Sequence, residues 1–490
     1  MKKTRLLRTF VAGSVFLFTA GLVLQGSGAE DQVGELKQRL KQLEEAHQRE
    51  LAELEAAVAD FETAHSDDSG LMAKGGGAAS GSNPAAAPAG APFQPAMPGR
   101  GAREAFIDIS AIGTFSIGTS TEQDVRSLQK ADHDPGRRGF DLQSLELAMS
   151  GYVDPYFRAQ TNLIFDFDPD EHGDRIEIEE AFMETLALPA NLQLRVGQFF
   201  TEFGRHNTQH LHFWDFVDTP VVMTRMFGPD GLRNPGARLS WLAPTPFYSE
   251  LFFTVQDSTG ETAYSFRNDE GFLDSHVQFN ERARVDSDRG EEIRKMRDLL
   301  YTARYAASWD LTVNQTVLAG VSGATGPNAS TEDTFDNGNQ IGEGRPSGRT
   351  DIYGTDVYWK WTPPHQTRGF PFVSFQTEAL MRRFELRDPS ETFEDYGLYA
   401  QALYGFRPMW VAGLRYDGVR GDMKDVTDRG GETIGLANRT RISPNMTWYP
   451  SEFSKIRLQY NYDDRSGFGK DHSVWLQFEF SIGPHGAHTF

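Results

Sequence analysis

From Arg103 to Phe490, apolar and polar residues alternate with a period of two, as strands with one apolar and one polar face require. The last strand-like stretch sets Val474, Leu476, Phe478, Phe480 and Ile482 against Ser473, Trp475, Gln477, Glu479 and Ser481. The stretch before it sets Ile456, Leu458, Tyr460 and Tyr462 against Arg457, Gln459, Asn461 and Asp463. Sixteen such segments are predicted, near 104–117, 140–154, 156–168, 175–188, 192–200, 236–243, 246–257, 297–309, 311–324, 348–362, 371–386, 395–406, 408–419, 438–450, 454–465 and 472–483. One set of connections is tight, among them Asp154-Pro155, Pro189-Ala190-Asn191 and Pro244-Thr245. The other set is mostly long, including 118–139, 201–235, 258–296, 325–347 and 420–437. Short turns at one end and long loops at the other predict an all-β fold, a 16-stranded antiparallel transmembrane β-barrel over 103–490.

The polar positions carry charges on nearly every strand. So many charges are not expected in a dry core, so the apolar set is predicted to face lipid and the polar set to line an aqueous lumen.

Upstream the pattern changes. Residues 1–29 read as a signal peptide, with Lys2, Lys3, Arg5 and Arg8 ahead of an apolar run and Ser27-Gly28-Ala29 at the cleavage site. Residues 30–63 read as a coiled-coil helix. Val33, Leu36, Leu40 and Leu43 follow 3–4 spacing, which Leu51, Leu54, Val58 and Phe61 resume after a stutter. Such a helix would span about 50 Å and needs a partner for its stripe, so self-association is expected. Residues 64–102, rich in Gly, Ala, Ser and Pro, read as a flexible linker.

Composition narrows the function. The net charge of −21 argues against a nucleic-acid partner. The chain has no cysteine, which excludes disulfides, thiolate metal sites and a cysteine nucleophile. A mean hydropathy of −0.49 does not suit a bundle of membrane helices. The nucleophile-elbow, zinc-protease and phosphate-loop motifs are absent, and no enzymatic activity is expected.

Several phrases carry a family likeness: LELAMSGYVDPYFRAQTNLIF, IEEAFMETLALPANLQLRVGQFFTEFGRHNTQH, WDFVDTP, LSWLAPTPFY and GPHGAHTF. With the signal, coiled coil and barrel, the chain resembles outer-membrane porins of the phosphate-selective porin O and P type. It is more closely similar to a proteobacterial group labelled zinc-regulated TonB-dependent outer-membrane receptors. The resemblance implies the outer membrane of a Gram-negative-type bacterium, with the coiled coil in the periplasm. The expected partners are membrane lipid and lipopolysaccharide, the barrel-assembly machinery, further copies in a homotrimer and, through the coiled coil, peptidoglycan. A 22-stranded receptor barrel with its plug does not fit in 103–490, so the architecture points to a passive porin. Two alternatives stand beside it: specific uptake of a metal ion or metal chelate, and a tether between outer membrane and cell wall.

The candidate site lies between the strands near 192–200 and 236–243. In porins of this size the third external loop folds inward, and here that loop is 201–235. It supplies a candidate pore constriction of both signs: Glu202, Arg205, His206, His210, His212, Asp215, Asp218 and Arg225. His206, His210 and His212 are also the candidate metal ligands, with zinc the ion weighed and no other cofactor expected. Phe199, Phe200, Phe203, Phe213, Trp214 and Phe216 are expected to wedge the loop against the wall. Alternation puts Arg195, Arg304, Lys360, Glu378, Arg415, Arg441, Arg457 and Glu479 on the lumen face. The mixture of signs does not predict phosphate selectivity.

Overall fold

Sixteen strands pair antiparallel in chain order and close on themselves. They are β1 (Ile107–Ser120), β2 (Gly139–Tyr152), β3 (Phe157–Asp168), β4 (Gly173–Thr185), β5 (Leu192–Phe200), β6 (Arg233–Leu242), β7 (Tyr248–Gln256) and β8 (Leu300–Thr312). The second half comprises β9 (Gln315–Pro327), β10 (Arg349–Trp361), β11 (Phe372–Glu385), β12 (Thr392–Arg407), β13 (Trp410–Gly421), β14 (Arg439–Ser451), β15 (Ser454–Arg465) and β16 (Gly469–Ile482). The ladder from β1 to β16, Ala111 opposite Ile482 through Ser120 opposite Ser473, shuts the barrel. Each predicted segment falls mainly on one observed strand, and that at 311–324 also takes in the last two residues of β8. The computed structural model describes residues 107–128, 131–168, 173–267, 283–285, 293–332, 334–336, 339–342, 348–386, 392–422 and 437–483. The predicted signal peptide, coiled coil and linker lie outside the described residues.

The two faces sort as alternation predicts. Leu398, Leu414, Ile442, Leu458, Val474 and Phe480 are exposed on the outside. Gln459, Asn461, Asp463 and Gln477 point inward and are buried. Aromatic pairs such as Trp410 with Trp448 sit beside the short turns, with ring centroids 5.9 Å apart.

Two ladders slip. Between β1 and β2 the register shifts after Thr114, leaving Gln143 without an opposite residue. Between β3 and β4 it shifts after Asn162, leaving Glu179 unopposed. A bulge of this kind breaks the alternation and re-aims a side chain. As a result Gln143 and Ser144, and likewise Glu179 and Glu180, are consecutive polar residues that are both buried.

The connection 201–232 enters the barrel. It contains α1 (Val221–Phe227), all of whose residues are buried. Pro220 precedes the helix with its fixed φ, and Gly228 follows at a φ of 79°. Sequence periodicity does not reveal so short a helix, because it is apolar all round except for Thr224 and Arg225. Val221, Val222, Met223, Met226 and Phe227 pack with Ile352, Leu380, Tyr399 and Val419 of the wall in one apolar cluster. Gly397 permits this approach, since a Cβ there would stand 2.9 Å from Val222 Cγ2.

This cluster corrects one expectation. Charges were expected to face water in the lumen, yet Arg382, Arg415, Arg441 and Arg457 are among the largest fully buried side chains. The inserted loop excludes water from them and supplies the partners that make their burial tolerable.

Candidate functional site

The loop leaves β5 after Phe200 and turns at Gly204, whose φ of 63° suits glycine and whose missing Cβ leaves room for the Glu378 carboxylate. Two 3₁₀ turns follow, His206–Thr208 and Leu211–Phe213. They compact the His- and aromatic-rich stretch, with Phe203 and Phe216 buried and Phe213 and Trp214 partly exposed.

Asp218 is the main anchor to the far wall. Its carboxylate accepts hydrogen bonds from Arg415 at 2.5 Å, Arg441 at 2.9 Å, Gln459 at 2.8 Å and Asn461 at 2.8 Å. Arg415 also pairs with Asp417, and Arg441 with Asp463. Loop carbonyls take further donors. Arg457 donates to the carbonyls of Trp214 and Phe216, Lys455 to that of His212 and Asn445 to that of Asp215. Arg225 lies 3.4 Å from Asp395, and its carbonyl accepts from Arg382. Asp218 and Arg225, expected at a water-facing constriction, are therefore buried anchors. Removing one partner of a buried ion pair costs about 3–5 kcal/mol, so these bonds fix the loop's position.

On the near wall the loop meets carboxylates. His210 is bracketed, with Nδ1 2.7 Å from Glu179 and Nε2 3.0 Å from Glu180. His212 Nδ1 lies 2.9 Å from Glu146. His133, from the loop after β1, stands 3.6 Å from the other Glu179 oxygen. Burial alone would lower the basicity of both His210 and His133. The surrounding carboxylates prevail, raising His210 well above the ordinary range and His133 to about 9.

His206 has a different setting. Burial, helped by the nearby Arg415 charge, lowers it to about 3, so its ring is neutral. It lies against Trp214 and Tyr399, and its backbone N–H donates to Glu378 at 2.7 Å. Among the described residues, the sets whose ligand atoms lie within 4.8 Å of one another are Glu146–Glu179–His210 and Asp132–Glu177–Asp230. Neither contains His206 or His212.

The remaining lumen candidates divide between pairs and partly open positions. Arg195 bonds Glu184 at 2.9 Å, Arg304 bonds Asp356 at 2.6 Å and Lys455 bonds Glu479 at 2.8 Å. Glu202 bonds Arg238 at 2.5 Å. Arg205 lies 4.3 Å over the Tyr358 ring, and Lys360 5.8 Å from the Phe372 ring centre. Arg205, Asp215 and Lys360 keep partial access to the lumen. Burial raises Asp215 above the usual carboxylate range, against the opposing pull of Arg457, Lys455, Arg205 and Lys360.

Sequence reasoning did not assign roles to Glu179, Glu180 or Asp395, and it placed Gln459 and Asn461 on the lumen face without their part in holding the loop. For the first two a signal was present. In IEIEEAFMET the glutamates fall at alternate positions and then double, as they do when an extra residue enters a strand.

No family model matches the chain. A protein of Aquifex aeolicus (strain VF5), described only as an uncharacterized protein, is 31% identical over 425 residues, covering 79% of this chain and 81% of its own length. The chain belongs to that protein's family. Solved structures of similar architecture include the outer membrane channel DcaP of Acinetobacter baumannii, 13% identical over 77% of this chain and 97% of that one, with a TM-score of 0.49. The anion-selective porin from Comamonas acidovorans is 9% identical over 77% of this chain and 100% of its own, with a TM-score of 0.48. OmpT of Vibrio cholerae in its trimer form is 7% identical over 78% of this chain and 100% of its own, with a TM-score of 0.45. The strand count rests on the ladders themselves.

Proposed function

We propose that the protein is an outer-membrane porin. It admits small hydrophilic solutes or ions by diffusion through a barrel narrowed by the inserted loop. The observation that carries this reading is the loop 201–232 held between walls by side chains on inward faces, Asp218 to Arg415 on one side and His210 to Glu179 on the other. An exposed apolar exterior supports a lipid surrounding, because water-facing strands do not display Leu398, Leu414, Ile442 and Leu458 in adjacent rows. Partly open charged positions at Arg205, Lys360 and Asp215 support a narrow ionic passage. Assembly as a trimer is part of the same proposal, and the phosphate preference of porin O and P is not.

Purified protein in planar bilayers tests the reading. Discrete conductance steps are expected, with a reversal potential in a salt gradient set by the lumen charges. Protein that inserts into the bilayer without conductance above background overturns it.

A further inference from the structure

We propose that Glu146, Glu179 and His210 form a binding site for one divalent first-row transition-metal ion, joining the inserted loop to the wall at β2 and β4. The site stands whether or not the barrel conducts.

Three features carry the assignment. First, the donor atoms converge. Glu146 Oε1 and Glu179 Oε2 lie 3.7 Å and 2.7 Å from His210 Nδ1, and all three residues are buried. Second, each donor is held from behind. The other ring nitrogen of His210 faces Glu180 at 3.0 Å, the carboxylate–imidazole support that fixes a metal-binding histidine's tautomer. His212 sits 2.9 Å from the second Glu146 oxygen, and His133 3.6 Å from the second Glu179 oxygen. Third, the wall departs from regular alternation to make the site. The bulge at Glu179 lets Glu179 and Glu180 both face inward, one as donor and one as support.

The chemistry selects the ion. Two carboxylates neutralise a dication in a buried site, and a single imidazole favours the borderline transition ions over magnesium or calcium. Without metal, a proton on His210 Nδ1 makes the same contacts as an ion pair. Binding replaces that proton, which leaves as the metal enters. His206 takes no part, because its ring lies against Trp214 and Tyr399.

The test uses the full chain in detergent, stripped with chelator and titrated with zinc chloride by calorimetry in the presence of excess magnesium. One zinc per chain is expected at this site. Glu179→Gln and His210→Asn should each weaken it at least 100-fold, and Glu180→Gln about 10–100-fold. His206→Asn, and a double His485→Ala, His488→Ala variant, should bind as the parent does. Zinc binding that is absent, or unchanged by Glu179→Gln, overturns the proposal, as does binding that disappears in the tail variant. If the Glu179 or His210 variants do not fold, cobalt is added to the parent protein. Visible d–d bands of a low-symmetry site with nitrogen and oxygen donors support the assignment, and the spectrum of aqueous cobalt alone overturns it.

Discussion

Asp218 of the inserted loop and Arg415 of the opposite wall meet at 2.5 Å although 197 residues separate them in the chain. Both are buried, and Arg441 closes on the same carboxylate. Replacing Asp218 by Asn removes the charge that two guanidiniums share. The expected cost is about 3–5 kcal/mol of loop docking. In bilayers the variant should show larger and noisier conductance steps than the parent, together with new protease cleavage within 201–232. Parent-like conductance and protease resistance would mean that this pair does not hold the loop.

Gly397 tests the apolar half of the same docking. A Leu at this position would crowd Val222 of α1, whose Cγ2 would stand 2.9 Å from the new Cβ, and also Val419 Cγ1 at 2.7 Å and the Gly418 carbonyl at 2.8 Å on β13. The expected outcome is a displaced α1 with a closed barrel, at a cost of about 1–3 kcal/mol. Gel mobility of the folded barrel should be unchanged, and α1 amides should exchange hydrogen faster.

Leu458 tests the lipid surrounding. It is exposed, and it sits between Met446 and Leu476 on neighbouring strands. Leu458→Arg should destabilise the barrel refolded in bilayers by about 2–4 kcal/mol in denaturant titrations. An exposed position facing water would tolerate the change within about 0.5 kcal/mol.

His206 predicts a pH dependence. Burial lowers it to about 3 from an ordinary value of 6.5, so the folded chain refuses a proton that the unfolded chain accepts. The unfolded state thus binds more protons between those values, and stability falls as pH drops from 6.5 toward 3. Above 6.5 both states are neutral and the group costs nothing. Replacing His206 by Phe, which cannot be protonated, should shrink the loss of thermal midpoint between pH 7 and pH 4. An identical loss in parent and variant would show that the ring is not buried neutral.

Arg205 and Lys360 keep access to the lumen, and each lowers the cost of an anion there. The double Ala variant should shift the reversal potential toward cation preference by about twofold or more in permeability ratio. Asp215→Ala should shift it in the opposite direction.

The strands were legible because lipid outside and polar groups inside impose opposite demands at every second position, as at Val474–Ile482. The loop's place in the chain was legible from the length of 201–235 between two clear strands. Its attachments were not. Asp218 gives no sign in the sequence that its partners are Arg415, Arg441, Gln459 and Asn461, because that pairing depends on how strands far apart in the chain come round the barrel. The histidines were grouped by local spacing, whereas the structure groups His210 with carboxylates from β2 and β4. The doubled glutamate at 179–180 was the readable clue to that wall.

The position of Asp218 also sets an order of events. Its side-chain partners are 197 to 243 residues downstream, on strands near the end of the chain. Contacts of such long range form late, after the entropy of ordering the intervening chain has been met. The loop therefore emerges early in synthesis beside its near-wall partners on β2 and β4, but its far-wall berth waits until β13 to β15 are in place. Its docking reports on completed assembly, and a barrel left ajar keeps this carboxylate unmatched.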